Sequence, residues 1–185
     1  RKDTVIVIGS GVMGASIAYH LAKRGASVTL IEKEAPASGT TANSFAWINA
    51  NNKTPFSYYR LNYEGILGWR RLQGEIGPSL QIQWGGGISW CGPDQQKMDK
   101  INYTTYVHQP WGYPIRAITA DDLGILIPGV NIGDFGAGWY STIDGTLDPV
   151  AATKALVEAG KKAGVQLVKA EVDKLEFNGS VATGV

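Results

Sequence analysis

From Thr4 to Glu32 the chain reads TVIVIGSGVMGASIAYHLAKRGASVTLIE, and this stretch constrains the fold more than any other. Val5-Ile6-Val7-Ile8 is a continuous apolar run, short enough for a buried parallel strand and bounded at once by glycine. Gly9-Ser10-Gly11-Val12-Met13-Gly14 then spells G-x-G-x-x-G and leads into a helix predicted to reach about Arg24. Gly25 is the expected left-handed stop, and Ser27 to Ile31 reads as the next strand. Glu32 closes that strand eighteen residues past the third glycine.

Each of these residue types has a physical role. Gly9 permits the tight strand-to-helix turn, Gly11 lets a pyrophosphate approach the backbone, and Gly14 lets the helix pack against the strand. Free N–H groups at the helix N-terminus receive the phosphate charge. A carboxylate at the end of the second strand accepts hydrogen bonds from both hydroxyls of an adenosine ribose. Glycine-rich turns without a ligand are common, so the motif alone decides little. Strand, motif, helix, strand and terminal acid together supply the context it requires, and dinucleotide binding is the expectation. An acid at position 32 argues against a 2′-phosphorylated ribose, which needs a basic partner.

The bulk numbers bound the rest. A chain of 185 residues holds one domain with a real core, or one domain and part of another. With 44% hydrophobic and 18% charged residues it matches an ordinary globular protein. A net charge of +1 gives no electrostatic case for nucleic acid or an anionic membrane surface. Cys91 is the single cysteine, which excludes an internal disulfide framework and suits a reducing compartment; a cytoplasmic location is the expectation. No apolar run approaches the roughly twenty residues that span a bilayer, and the N-terminal run is too short for a signal sequence. The chain opens on Arg1 rather than methionine, as a trimmed chain would.

Beyond Glu32, Lys33 to Ala37 is a polar turn broken by Pro36. Ser38 to Ile48 (SGTTANSFAWI) is small, hydroxylated and weakly apolar. On local grounds it reads as a loop entering a short helix, with Thr40 or Thr41 as cap; the alternative is a segment running beside a bulky planar ligand. Pro55 to Ile76 reads as a helix whose stripe is Tyr58, Leu61, Gly65, Gly68 and Leu72, its glycines suggesting a close backbone approach. Gln81 to Trp84 alternates like a strand, continued by Ile88 to Cys91. Gly85-Gly86-Gly87 between them is expected to be a bulge or tight turn rather than a phosphate cradle, because no helix start follows. A polar helix from about Gln95 to Val107, a loop from His108 to Pro114, and a capped single turn at Thr119 to Leu123 come next. Phe135 to Ser141 reads as a strand, and Asp148-Pro149 as a helix start whose apolar line ends at the Gly164 stop. Strands are expected over Val165 to Val168 and Glu171 to Phe177, with Asn178-Gly179 turning into Val181 to Val185. That last run reads as an internal strand of a meander, so the chain is expected to be a fragment or one half of a divided protein.

Other constellations are weak. His20 and His108 lie far apart without Cys, Asp or Glu at ligand spacing, and no metal site is expected. Asp144-Gly145 with Asp148 resembles a calcium loop only faintly; turn plus N-cap explains it better. No G-x-S-x-G elbow is present. Ser10 is expected to contact phosphate rather than attack a carbonyl. Cys91, with apolar flanks, reads as core, and most of the tryptophans and tyrosines as packing.

VIVIGSGVMGASIAYHLAKRGASVTLIEK followed by SGTTANSFAWIN resembles the flavin-dependent amine oxidoreductases of the D-amino-acid oxidase, glycine oxidase and sarcosine oxidase superfamily. The resemblance returns at Asp144 to Pro149, a helix, Gly164-Val165 and Ala170-Glu171-Val172, and is loose from about Pro55 to Tyr140. It implies an α/β fold: a Rossmann-like FAD-binding domain, three-layered with a parallel sheet (residues 1–50 and 145–185), and part of a second, α+β substrate domain (residues 51–144). Gly9, Ser10, Gly11, Met13 and Gly14 become the pyrophosphate loop, Glu32 the ribose ligand with Lys33 beside it. Thr40, Thr41, Ser44, Ala46 and Trp47 become the flavin side, and Val172 the adenine contact. Family members often carry glycine where Ala46 or Trp47 stands.

What the resemblance implies is FAD as cofactor and an amine or amino acid as substrate, oxidised by hydride transfer from the nitrogen-bearing carbon to flavin N5. The partner implied is the C-terminal half of the same protein, which supplies the groups that fix the substrate. No catalytic side chain is assigned to this segment. Two rivals stay open: an NAD-linked dehydrogenase, which shares the glycine loop, and a non-catalytic dinucleotide-binding subunit.

Overall fold

A computed structural model describes residues 3–185. In chain order the elements are β1 (Thr4–Ile8), α1 (Val12–Lys23), β2 (Ser27–Glu32), β3 (Trp47–Ile48), α2 (Phe56–Ile76), β4 (Gly87–Cys91), α3 (Gln95–His108) and β5 (Ile115–Ile118). There follow α4 (Ala120–Leu126), β6 (Ala137–Ser141), β7 (Gly145–Thr146), α5 (Pro149–Lys162), β8 (Gln166–Lys169), β9 (Glu176–Asn178) and β10 (Val181–Gly184). They form two units: one runs up to Ala46 and adds Leu72–Ile82 and Leu147–Val185, the other comprises Trp47–Arg71 and Gln83–Thr146. Among the described residues no helix is long and apolar enough to cross a membrane.

The first unit is built on a parallel sheet in the order β1-β2-β8. Its register runs from Thr4↔Ser27 to Ile8↔Ile31, and from Thr29↔Gln166 to Glu32↔Lys169. Central β2 buries Val28, Leu30 and Ile31, each residue of that kind contributing about 1.5–3 kcal/mol. α1 lies against α5 through small residues: Ala15, Ala18 and Ala22 on one helix, Ala152 and Gly160 on the other. A Cβ on Gly160 would stand 3.8 Å from the Tyr19 Cα, so the helix backbones meet closely there. Asp148 caps α5 by accepting from the Ala151 N–H at 2.7 Å, with Pro149 in the first turn, as its sequence requires.

Two expectations fail in this unit. No strand covers residues 171–175; only β9 forms, paired with β10 in a hairpin that turns at Gly179. The Ala170 N–H donates to the Glu32 carbonyl at 3.0 Å, and beyond it the chain has left its partner strand. Gln81 to Trp84 is not a strand either. Gln81 takes φ +51° after a 3-10 turn at Pro78–Leu80, and only Gln83 pairs with Thr146. Residues 72–82 fold with the first unit, whereas the sequence placed them inside a continuous insert.

The second unit has an antiparallel sheet in the order β4-β6-β5, and a small ladder joins β3 to β7. Trp139, central on β6, is buried, and α3 packs on the sheet with Ile101, Thr104 and His108 buried. Thr119 and Asp122 make a reciprocal capping box at α4, which runs two turns rather than the single one expected. Along α2 Tyr59 and Ile66 are buried in place of Tyr58 and Leu61, which are exposed, while Leu72 is buried as expected. The expected stripe is thus rotated by about one residue over its first turns. Its glycines misled the phasing: they carry no apolar surface, and nothing lies within 4 Å of a Cβ built on Gly65.

Candidate cofactor site

The loop between β1 and α1 is shaped by its glycines. Gly9 has φ +90°, and its N–H donates to the Ile31 carbonyl at 2.7 Å, tying the loop to β2. A Cβ on Gly14 would overlap the Gly9 carbonyl oxygen, so only glycine lets α1 start there. A Cβ on Gly11 would stand 3.2 Å from Thr41 Oγ1. That same hydroxyl oxygen accepts the Val12 N–H at 3.2 Å, which closes the 3-10 turn at Thr40–Asn43 over the head of α1. Neither threonine caps the 3-10 turn, whose N-cap is Gly39 without a side-chain bond. The expected cap is therefore corrected: the Thr41 hydroxyl serves α1 instead.

Glu32, at the end of β2, is half-buried and its carboxylate is oriented by three donors. Its Oε2 accepts the Ser10 N–H at 2.7 Å and the Ser10 hydroxyl at 2.9 Å, and its Oε1 accepts the Glu34 N–H at 3.0 Å. Burial pushes this carboxyl up; the backbone N–H groups of Glu34 and Ser10 and the Ser10 hydroxyl outweigh it and hold the group below its ordinary value. At neutral pH the group is therefore an anion with acceptors only.

These residues wall a cleft of about 550 Å³. Gly9 and Gly11 contribute from the loop, Glu32 and Lys33 from the end of β2, Thr40 and Thr41 from the 3-10 turn. Val172 reaches it from the irregular stretch after β8. Lys33 also lies 3.4 Å from Glu171 in an exposed ion pair at the rim. Sequence reasoning missed Ser38, Gly39, Glu34, Ala170 and Glu171, which line the same cleft. Only the pairing of Glu32 with Lys169 brings positions 170 and 171 there, and no local pattern announces it.

The remaining candidates lie elsewhere. Ser10 is buried with both donors turned to Glu32, so it supports the carboxylate. Met13 is 72% exposed on the first turn of α1, and Gly14 packs inside against Gly9. Ser44 is exposed, its Oγ accepting the Ala46 N–H at 3.0 Å. Ala46 takes φ +54°, a left-handed conformation that favours glycine. Trp47 belongs to the second unit, where its indole N–H donates to Asp144.

The cleft fits the adenosine diphosphate part of a dinucleotide. Unsubstituted Cα positions stand where a diphosphate needs room, and an oriented carboxylate stands at the strand end for a ribose diol. The residues that would hold the group are Gly9, Gly11, Glu32, Thr41 and Val172.

A family model described as "FAD dependent oxidoreductase" matches residues 4–185. Rat mitochondrial dimethylglycine dehydrogenase is 33% identical over 175 residues, covering 90% of this chain and 19% of its own length. Human mitochondrial sarcosine dehydrogenase is 27% identical over 168 residues, covering 89% of this chain and 18% of its own. Among solved structures, L-proline dehydrogenase from P. horikoshii superposes with a TM-score of 0.87 at 25% identity, over 98% of this chain and 48% of that one. The chain thus spans about a fifth of the dehydrogenases and about half of the solved structure.

Proposed function

This chain belongs to the DAO family of FAD-dependent oxidoreductases, and from that membership we propose that it forms the cofactor-binding part of an enzyme oxidising the C–N bond of an amino acid or secondary amine. The observation that carries the reading is the Glu32 carboxylate, oriented by Ser10 and Glu34 at the wall of a glycine-lined cleft. FAD, when bound, supplies the acceptor for two electrons and a hydride. The chain's own residues bind and orient. Glu32 accepts the ribose hydroxyls, the backbone around Gly9 and Gly11 admits the diphosphate, and Thr41 pins the 3-10 turn to the head of α1.

The relatives named for dimethylglycine and sarcosine point to N-methylated amino acids as the substrate class. The remainder of the same protein is the partner. β1 is an edge strand of the sheet among the described residues, and its Ile6 and Ile8, on one face, are 41% and 53% exposed, an edge suited to pairing and a face suited to covering by that remainder.

Full-length protein is expected to copurify with FAD and to lose its flavin absorbance on anaerobic addition of dimethylglycine, sarcosine or another amino acid. Flavin that no amine bleaches would favour the non-catalytic subunit. A preparation without flavin absorbance, before and after reconstitution, would end both readings.

A further inference from the structure

Asp144 is the most heavily engaged carboxylate of the second unit. It is fully buried, and three side chains donate to it: the Trp47 indole Nε1 at 3.1 Å to Oδ2, the Ser141 hydroxyl at 2.7 Å to Oδ1, and the Tyr113 hydroxyl to Oδ1. Tyr113 in turn accepts the Ala50 N–H at 3.2 Å. The Asp144 carbonyl accepts the Gly86 N–H at 3.1 Å, and Gly87 leaves the carboxylate room, since a Cβ there would overlap Oδ2. Among the described residues no lysine, arginine or histidine pairs with Asp144 in an ion pair. Burial pushes its carboxyl above the ordinary value, against the pull of the donated hydrogen bonds. Placing a carboxylate so deep is unfavourable unless its donors are held in place, so the donors are held firmly in return.

Of these donors, Trp47 stands out. It is the residue at which the chain passes from the first unit into the second, at the end of the segment from Ser38 assigned to the flavin side. Its ring is fixed twice: by the hydrogen bond to Asp144, and by stacking on the buried Trp139 with ring centroids 6.3 Å apart and planes 13° from parallel. Tyr113 and Ser141, by contrast, lie within the second unit, Tyr113 among Ala50, Tyr59 and His108, and Ser141 on β6.

We infer that Asp144 is a positioning residue, its buried carboxylate fixing the Trp47 indole and so the end of the flavin-side segment at Ala46 and Trp47. The inference rests on the proposed flavin reading and deepens it. It gives a role to Asp144, which sequence reasoning leaves as a turn residue.

The test is FAD affinity and the visible circular dichroism of the bound flavin, measured on full-length protein for Asp144→Asn, Trp47→Phe, the double variant and Ser141→Ala. Trp47→Phe keeps an aromatic ring against Trp139 and loses the pyrrole half of the indole with its N–H, so it breaks the same bond without leaving a changed group at the buried carboxylate position. Each of those two is expected to weaken FAD binding about tenfold and to change the flavin dichroism. The double variant is expected to be no weaker than either single one, because both break one contact. Ser141→Ala removes a donor to the same carboxylate without touching Trp47, and is expected to lower thermal stability while leaving the flavin signal unchanged. If wild type binds FAD but Trp47→Phe leaves the dichroism intact, the inference fails alone. Equal flavin effects in Ser141→Ala and Asp144→Asn overturn it too, since the carboxylate then acts on packing in general. A wild type that takes up no flavin overturns the proposed function, and this inference with it.

Discussion

At Glu32 one side chain has two tasks: its carboxylate braces the glycine loop through Ser10, and it faces the nucleotide cleft. Glu32→Gln keeps the length but removes the charge and turns one acceptor into a donor against the Ser10 N–H. Hydrogen bonds to charged groups contribute about 1.5–3 kcal/mol, so FAD affinity is expected to fall by about ten- to a hundredfold, read by flavin fluorescence titration of the full-length protein. The pH dependence has a definite sign. The Glu32 carboxyl sits below its ordinary value in the folded chain, so its stabilising contribution is complete above the unfolded value of about 4.3. It is lost as pH falls through the folded value. The difference in melting temperature between wild type and Glu32→Gln, measured without cofactor, is therefore expected to close on acidification; a gap that widens contradicts the assignment. Two glycines separate steric from conformational demand. Gly14→Ala forces a Cβ onto the Gly9 carbonyl and is expected to cost about 1–3 kcal/mol or more in denaturant unfolding. Gly25→Ala meets no atom within 4 Å, and only its φ of +92° opposes the change, so about 1 kcal/mol is expected.

Between elements, the last turn of α2 is latched to α1. Glu75 accepts from the Tyr19 hydroxyl at 3.0 Å and from Lys23 at 2.8 Å, which ties residues 72–82 to the first unit. The Lys23 and Glu75 side chains are 42% and 40% exposed, and exposed pairs add little to global stability. Glu75→Ala is accordingly expected to leave the melting temperature almost unchanged while speeding amide exchange at Leu72–Ile76; β1 and β2 amides should keep their protection. This latch was invisible beforehand, since nothing near Glu75 names partners more than fifty residues away. What the residues did disclose was local. The β1-loop-α1-β2 order, the Asp148-Pro149 start of α5 and the hairpin at Asn178-Gly179 each rest on neighbours within a few positions. Residues 171–175 and 81–84 read as strands locally, but strand formation needs a partner edge: within 81–84 only Gln83 meets one, at Thr146, and among the described residues 171–175 meet none. The donors of Asp144 come from positions 47, 113 and 141, so a buried carboxylate read as a turn until the second unit closed around it. The nucleotide cleft was half legible for the same reason: its loop and acid are contiguous signals, whereas Ala170 and Glu171 enter through sheet register alone.

For the whole molecule, the described cleft makes a statement about which part of a flavin cofactor is recognised. Its walls, Gly9, Gly11, Glu32 and Val172, suit an adenosine diphosphate, and on the proposed reading Glu32 meets the adenosine ribose rather than the flavin ring. FMN lacks that half and gains nothing from Glu32; ADP possesses it and lacks the ring. Full-length apoprotein is therefore expected to be stabilised by FAD by about 2.7 kcal/mol at a hundred times its dissociation constant, and not measurably by FMN at the same concentration. ADP should bind more weakly than FAD and displace it competitively, because both occupy one diphosphate seat. NADP, whose 2′-phosphate would face the Glu32 carboxylate, should not compete at all. Thermal shift with each ligand, followed by competition against FAD fluorescence, reads all four outcomes. Equal stabilisation by FMN and FAD would move recognition away from Glu32 and the glycine loop. Displacement by NADP as effective as that by ADP would mean that this carboxylate does not meet the ribose.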